Sequence, residues 1–273
     1  MESIRKIIKK YGITPSRRLG QNFLIDKNVL RKIIKAADLK ADDVVLEIGP
    51  GIGSITKELA KRTKEVIAVE KDPKMTEALK ENIKGTKNVK ILTGDILKFK
   101  PSDLGLQTFK VVANIPYYLT SHLIRKLLEA KNPPELMVLV VQKEVAQRIC
   151  AKAPKMNLLA ISVQFYAQVK IVSYVSKNSF LPKPRVDSAI IKIKPRPLPS
   201  ALPKLDLNKF FRILKTGFSQ PRKQLLNSLS QELNMDKETI RTWLLENGIQ
   251  PSQRPESLKI KDWINLTRCC KLK

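Results

Sequence analysis

The stretch "VLEIGPGIGSIT" (residues 45–56) decides the fold. It runs from an apolar strand through three glycines, Gly49, Gly51 and Gly53, into the start of a helix. A turn this rich in glycine lets the backbone approach a ligand closely, and the helix that follows offers free N–H groups at its N-terminus. The stretch therefore predicts a ligand-binding loop at the carboxyl end of a sheet strand.

The chain around this loop alternates short apolar runs with amphipathic segments. Five β-rich runs separated by helical segments predict βαβ units on a parallel sheet that is covered on both faces. Two further strands are predicted by "QVKIVSYVS" (168–176) and "SAIIKIK" (188–194). The expected fold class is α/β, with a Rossmann-like, mostly parallel seven-stranded sheet. The five runs are DVVLEIG (43–49), EVIAVEKD (65–72), VKILTGD (89–95), FKVVAN (109–114) and LMVLVVQ (136–142).

A proline-rich segment separates this region from the C-terminal part. "PRPLPSALPK" (195–204) holds four prolines in ten residues, which is typical of a stiff, extended linker. Beyond it, four segments show the helical spacing of apolar residues. We therefore expect an α/β domain over residues 1–195, a linker over about 196–204 and a small all-helical domain over 205–273.

The charge balance indicates a polyanionic partner. The 273 residues include 52 Lys and Arg against 25 Asp and Glu, a formal net charge of +27. The excess is spread along the chain, and nucleic acid explains it better than an anionic membrane does. No apolar run approaches the roughly 20 residues of a membrane span, and the N-terminus has no apolar signal region. We expect a cytoplasmic protein that grips nucleic acid through its phosphates.

The composition leaves little room for metal chemistry. The single histidine, His122, excludes a centre with several imidazoles and argues against a Ser-His-Asp triad. Three cysteines, Cys150, Cys269 and Cys270, have neither metal-ligand spacing nor a disulfide pattern. We expect no metal, and free thiols in a reducing compartment.

The glycine loop and two strand-end acids indicate the cofactor. The spacing is GxGxG rather than the dinucleotide pattern GxGxxG, and Glu47 lies inside the preceding strand. This combination favours S-adenosylmethionine, although the loop alone leaves a nicotinamide enzyme open. Glu70 ends the next strand, where it can accept from both ribose hydroxyls in either cofactor class, and Asp95 ends the third, where it can accept from an adenine amine. Each acid taken singly could instead be a helix N-cap or a solvated turn.

The fourth strand brings "NIPYY" (114–118) to the same sheet edge. In a methyltransferase that acts on nucleic acid, this motif suits the exocyclic amine of adenine, a poor nucleophile because its lone pair is delocalised. Acceptors on its two N–H groups favour a tetrahedral nitrogen. The Asn114 side-chain oxygen is one candidate, and Pro116 biases Ile115 to an extended conformation that can aim its carbonyl inward as the other. Tyr117 can stack on the base. A plain Asn-Pro turn at a strand end is the alternative.

With these residues in place, the chain resembles the KsgA family, the small-subunit ribosomal RNA adenine dimethyltransferases. The likeness covers nearly the whole length. The paired motifs "NFLID" and "FLPKPRVDS" are far more specific than "NIPY" alone. The matching segments are LGQNFLID (19–26), EIGPGIGSIT (47–56), VEKD (69–72), GDIL (94–97), NIPYYLTS (114–121), VQKEVAQR (141–148), FLPKPRVDSAIIKI (180–193), FSQPRKQLLNSL (218–229) and RPESL (254–258).

The resemblance implies an activity, a substrate and further site residues. It implies transfer of two methyl groups to each of two adjacent adenosines in a hairpin loop near the 3′ end of 16S rRNA, on a small ribosomal subunit particle, by a monomeric enzyme. Phe180 would be a second aromatic at the target base; a phenylalanine packed in the core is the alternative. The implied cofactor-binding residues are Asn22, Leu24, Gly49, Gly51, Glu70, Asp95 and Asn114. His122 stands where many relatives have proline, and Ile115 replaces a common leucine; neither change touches the chemistry.

Two alternatives share most of these features. The large-subunit rRNA enzyme that confers macrolide resistance has the same catalytic domain, but "RKQLLNSL" (222–229) and "RPESL" (254–258) favour the small-subunit enzyme. A non-catalytic ribosome-assembly factor could keep the fold for RNA binding, although the intact "NIPY", Glu70 and Asp95 argue against a loss of methylation. The basic N-terminal segment and the C-terminal domain are the candidates for the phosphate grip.

Overall fold

A computed structural model describes residues 7–8, 10–16, 20–196 and 205–270. The chain forms two compact units. The first comprises Met1–Gln147 with Ala167–Pro195, and the second comprises Arg148–Tyr166 with Arg196–Lys273. Among the described residues, every helix is too short or too polar to cross a bilayer.

The first unit contains the seven-stranded sheet that the sequence predicts. The strand order is β4-β3-β2-β5-β6-β9-β7, with the first five strands parallel and β9 antiparallel to both of its neighbours. The predicted fold class is therefore confirmed. The strands are β2 (Val44–Ile48), β3 (Glu65–Glu70), β4 (Val89–Thr93), β5 (Lys110–Asn114), β6 (Leu136–Gln142), β7 (Ala167–Val175) and β9 (Ser188–Pro195).

Hydrophobic patterning and capping explain these elements. In β6, the run Leu136–Val141 is buried throughout, as expected for a strand inside a sheet with both faces covered. Helices begin at acidic N-caps: the Asp26 and Asp72 side chains accept backbone N–H groups at the starts of α1 and α3. The helices of this unit are α1 (Lys27–Ala37), α2 (Thr56–Ala60), α3 (Pro73–Asn82), α4 (Thr120–Leu128) and the first residues of α5 (Lys143–Ile149).

A second, two-stranded sheet joins distant parts of the chain. Strand β1 (Phe23–Leu24) pairs antiparallel with β8 (Phe180–Leu181), and Leu24 lies opposite Phe180. The Asp26 carboxylate, beyond its capping role, accepts from the Ser179 hydroxyl at 3.0 Å. This pairing brings the "NFLID" and "FLPKP" motifs together across more than 150 residues of sequence.

The second unit is helical around its own core, in which the indole of Trp263 is fully buried. Its C-terminal helices fall where the sequence predicts them. The predicted boundary at residue 195 placed residues 148–166 in the α/β domain. In the structure they belong to the helical unit, because Met156, Ile161 and Phe165 pack into its core. Residues 197–204 of the proposed linker lie outside the described residues. The helices are α6 (Leu158–Gln164), α7 (Leu207–Gly217), α8 (Leu225–Leu233), α9 (Lys237–Glu246) and α10 (Ile260–Arg268).

Candidate active site

A cavity of about 220 Å³ opens at the carboxyl edge of the parallel sheet. This is where ligands bind in open α/β sheets, because the loops that follow the strands diverge there. Ten of the eleven sequence-predicted site residues line it. They are Asn22, Leu24, Gly49, Gly51, Glu70, Asp95, Asn114, Ile115, Pro116 and Tyr117.

The glycine loop lies against the cavity floor in a conformation that favours glycine. Gly51 has φ +56°, and a Cβ atom there would lie 3.1 Å from the Phe23 ring. Gly53 has φ +87°, and its Cβ would lie 2.6 Å from Leu79 Cδ1. Both positions combine a left-handed backbone with a close neighbour, so the loop depends on the missing side chains.

Glu70 is held by the backbone of the loop that it faces. Its Oε2 accepts from the Gly51 N–H and its Oε1 from the Asp72 N–H, each at 3.0 Å. Burial raises the pKa of the Glu70 carboxyl, while these two N–H donors act against the rise. Since a carboxylate offers about four acceptor sites, each oxygen keeps a lone pair for a further donor, such as a ribose hydroxyl.

Asp95 both caps a turn and faces the cavity. Its Oδ1 accepts from the Leu97 N–H at 3.0 Å, which caps the short helix Ile96–Lys98, and its Oδ2 pairs with Lys71 Nζ at 2.8 Å. The hydrogen bond from Lys71 lowers the pKa of this carboxyl, so Asp95 is ionised at neutral pH. The N-cap and the cavity-lining interpretations of this residue are therefore compatible.

Two oxygen acceptors remain available at the end of β5. The Asn114 Nδ2 donates to the Asn22 carbonyl at 2.8 Å, which orients the amide and leaves its Oδ1 on the other side. Within the part of the chain that the structure describes, neither Asn114 Oδ1 nor the Ile115 carbonyl accepts a hydrogen bond. The Ile115 N–H is engaged by the Val140 carbonyl at 3.2 Å, and its side chain is buried. At this end of β5, which we call the target corner, the N–H donors of Asn114 and Ile115 are engaged elsewhere, and their two oxygens remain available as acceptors.

Tyr117 is positioned by a residue that sequence reasoning did not select. Its hydroxyl lies 2.8 Å from Ser188 Oγ, and Ser188, the first residue of β9, is fully buried. Burial raises the pKa of the half-buried Tyr117 phenol, so the phenol stays protonated. The neighbouring Tyr118 is 60% exposed at the cavity rim. Tyr117 and Ser188 are 71 residues apart, so no local pattern in the sequence indicates their contact.

The segment before β1 is tied to the cavity by further contacts that were not predicted. The Gln21 Nε2 donates to Asp72 Oδ2 at 2.9 Å, which links the segment to the N-terminus of α3. The Asn22 side chain donates to the Gly20 carbonyl at 3.0 Å, so its backbone carbonyl and side chain both serve local geometry. The "QN" pair inside the family motif was the only available signal for these roles.

Phe180 does not line the cavity. Its side chain is 3% exposed and packs in a core cluster with Leu24, Val29 and Ile33. It reaches the site through Leu24, its partner in the β1–β8 ladder. Its direct contact with a target base therefore stays a prediction from the resemblance.

Glu47 is buried below the glycine loop. It is 1% exposed, and no donor of the described residues meets strict hydrogen-bond geometry with either carboxylate oxygen, although the Thr56 hydroxyl and N–H lie close enough to oppose a rise in its pKa. Loss of solvent raises the pKa of this carboxyl to about 8, so it is mostly protonated at neutral pH. The nearby Glu70 carboxyl adds to the rise.

Comparison with known families supports a single assignment. A family model described as "Ribosomal RNA adenine dimethylase" matches residues 14–271. "Ribosomal RNA small subunit methyltransferase A" of Dehalococcoides mccartyi (strain CBDB1) is 44% identical over 268 residues, which cover 97% of this chain and 92% of that protein. The protein with the same description in Bacillus mycoides (strain KBAB4) is 40% identical, covering 96% and 94%.

Solved structures share the architecture. A dimethyladenosine transferase from Plasmodium falciparum superposes with a TM-score of 0.75 at 29% identity, covering 89% of this chain and 95% of that one. The 23S rRNA methyltransferase ErmE superposes with a TM-score of 0.72 at 27% identity, covering 91% and 99%. Both similarities extend over most of the chain.

Proposed function

The chain belongs to the ribosomal RNA adenine dimethylase family, and from this we propose that it transfers methyl groups from S-adenosylmethionine to two adjacent adenosines of 16S rRNA. The substrate is the exocyclic amine of each adenosine, in a hairpin loop near the 3′ end of the RNA in the small ribosomal subunit. The observation that carries the proposal is the pair of unengaged acceptors, Asn114 Oδ1 and the Ile115 carbonyl, at the edge of a cavity that has the family's glycine loop.

The cavity residues fit the cofactor. Glu70 would hold the two ribose hydroxyls with its remaining lone pairs, and Asp95 would accept from the adenine amine. Gly51 leaves a cradle that a Cβ atom would fill. Asn22, Leu24 and Gly49 would complete the contacts, as the resemblance implies. When bound, S-adenosylmethionine supplies a methyl group activated by its positive sulfur.

The residues at the end of β5 would activate the target nitrogen. Asn114 Oδ1 and the Ile115 carbonyl accept the two N–H groups of the amine, which raises the electron density on nitrogen and favours its tetrahedral form. Pro116 follows directly and restricts the Ile115 backbone. Tyr117 stacks on the base, and its ring faces the positive charge that develops during transfer. No imidazole base is needed in this scheme.

Base entry and subunit state complete the proposal. The target adenosine must leave its stack to reach the cavity, and an unpaired loop makes this least costly. Basic residues supply the phosphate grip; residues 1–6 of the N-terminal segment lie outside the described residues. We propose that the enzyme acts as a monomer, and that it works in the cytoplasm, in line with the lack of a disulfide among the described residues.

Transfer of labelled methyl groups tests the function. The purified protein is incubated with labelled S-adenosylmethionine and small-subunit particles that lack the modification, with large-subunit rRNA as the control substrate. Mass spectrometry of the rRNA should show two dimethylated adenosines in the hairpin loop. Label in the large-subunit rRNA alone would indicate the macrolide-resistance activity, and no label in either would indicate a non-catalytic assembly factor.

A further inference from the structure

A second cleft lies at the carboxyl edge of the same sheet, next to the target corner formed by Asn114 and Ile115. It follows the carboxyl end of β6, and β6 is the neighbour of β5, whose last residue is Asn114. Asp187 lines the cleft, and the next residue, Ser188, holds the Tyr117 hydroxyl. We call this the β6 cleft; it is lined by Gln142, Lys143, Glu144, Gln147, Lys177 and Arg185–Asp187.

Three cations of the β6 cleft form no ion pair among the described residues, although Glu144 and Asp187 also line the cleft. Of the residues that the structure describes, no Asp or Glu oxygen lies within 4.0 Å of the side-chain nitrogens of Lys143, Lys177 or Arg185. Asp187 instead serves the backbone: its Oδ1 accepts from the Lys177 N–H and its carbonyl from the Lys143 N–H, each at 3.0 Å. Asp187 therefore holds both segments that carry the lysines, one through its carboxylate and the other through its backbone carbonyl.

An aromatic surface adjoins these cations. The Tyr174 ring is 53% exposed, and Lys143 Nζ lies 5.4 Å from its centroid. Proteins that bind single-stranded nucleic acid combine exposed aromatic rings with nearby cations. A base stacks on the ring, and the phosphates of the backbone pair with the cations. The core of a protein–protein interface is depleted in charged residues, whereas this cleft carries several.

We propose that the β6 cleft binds the nucleotide next to the target adenosine. Lys177 and Arg185 pair with its phosphate, and Tyr174 offers a face for its base. The inference rests on the proposed function and extends it, since a substrate with two adjacent adenosines needs a place for one while the other is in the cavity. The adjacency of β5 and β6 sets the two places one strand apart.

The test combines a double variant with a modified RNA. The variant Lys177→Ala/Arg185→Ala is compared with Lys84→Ala/Lys87→Ala, which removes two exposed lysines before β4, at the opposite edge of the sheet. Fluorescence anisotropy measures the Kd of an RNA hairpin that carries the two adenosines, over a range of salt concentrations. A second hairpin carries one uncharged methylphosphonate at the linkage beside the target.

We expect the cleft variant to bind the native hairpin about tenfold or more weakly, and the slope of log K against log salt to become less steep by about 0.7 for each phosphate contact removed. The control variant should keep the wild-type slope. The methylphosphonate should weaken binding to the wild type and leave the cleft variant unchanged. If the methylphosphonate raised the Kd of the hairpin by the same factor for the wild type and for the cleft variant, the proposal would be overturned. A loss of affinity for the particle with unchanged affinity for the hairpin would also overturn it and would indicate a protein partner.

These measurements are independent of turnover. Methyl transfer by the wild type to particles decides the proposed function, whereas the hairpin titrations report only binding. Circular dichroism of both variants, together with their Kd for S-adenosylhomocysteine, checks that the fold and the cavity are intact.

Discussion

The amide of Asn114 is divided between two tasks, which makes it the most informative single residue. Its Nδ2 is held by the Asn22 carbonyl, and its Oδ1 is free to accept. Asn114→Ala removes one of two acceptors, so we expect kcat to fall by about 10²- to 10³-fold. The Kd for S-adenosylhomocysteine, measured by calorimetry, should change only a few-fold. Methylation at a near wild-type rate would remove Asn114 from the mechanism.

Ser188 is expected to act through Tyr117. Ser188→Ala and Tyr117→Phe remove the two partners of the same 2.8 Å hydrogen bond, so their effects on kcat/KM for RNA should not add in the double variant. Each single change should cost about 1 kcal/mol, or roughly fivefold. Ser188→Thr, which keeps the hydroxyl, is the matched control and should retain more activity than Ser188→Ala. Additive losses would show that the two hydroxyls act independently.

Glu47 should make stability depend on pH. Burial raises its pKa from an ordinary 4.5 to about 8 in the folded state, against the opposing effect of the Thr56 donors, so the folded state binds the extra proton between these limits. The free energy of unfolding therefore falls as the pH rises through this window, by up to about 1.4 kcal/mol per pH unit. Glu47→Gln cannot ionise. Its Tm, relative to wild type, should be higher at pH 9 than at pH 5, and parallel Tm curves would contradict the assignment.

At the scale of elements, one glycine of the glycine loop and one in the turn after α3 offer a matched pair of substitutions. Gly53 and Gly85 have nearly the same φ, +87° and +86°, but only Gly53 has neighbours for an added Cβ atom. Gly85→Ala should therefore cost backbone strain alone, about 1 kcal/mol, while Gly53→Ala should cost about 1–3 kcal/mol more. Thermal unfolding measures both. Equal losses would show that Leu79 yields without cost.

The sequence predicted elements with local signals and missed those made by distant pairing. The seven strands, the glycine loop and the C-terminal helices follow from periodicity and from turn residues, and the structure confirms them. The β1–β8 ladder has two residues per strand, too few to show an alternating pattern. Residues 148–166 join the helical unit because Met156 and Phe165 pack into its core. The spacing of apolar residues predicts a buried face but not which core the face packs against.

The same distinction holds within the site. Glu70, Asp95 and Asn114 could be selected because the carboxyl ends of parallel strands meet at one edge. The roles of Gln21 and Ser188 could not be predicted, because their partners lie 51 and 71 residues away and the family motifs that contain them do not indicate these contacts. For Phe180 the sequence left two possibilities open, contact with a target base and burial in the core, and the structure shows a side chain that is 3% exposed.

For the whole molecule, the net charge of +27 should dominate the salt dependence of RNA binding. Each neutralised phosphate of single-stranded RNA contributes about −0.7 to the slope of log K against log salt. A substrate that makes six such contacts should therefore bind roughly 300-fold more weakly at 200 mM than at 50 mM salt. The affinity for S-adenosylhomocysteine should change little over the same range, and this makes it the internal control. A flat RNA titration would contradict a phosphate-based grip.

The unengaged oxygens at the end of β5 also bear on which nucleobase can be admitted. Adenine offers an amino group to Asn114 Oδ1 and the Ile115 carbonyl, whereas inosine and guanosine carry a keto oxygen at the equivalent ring position. Oxygen would then face oxygen with no proton between them, and the repulsion would expel the ring before any alkylation. On the proposed mechanism, the polarity that activates the amine would also select against purines that carry a keto group there.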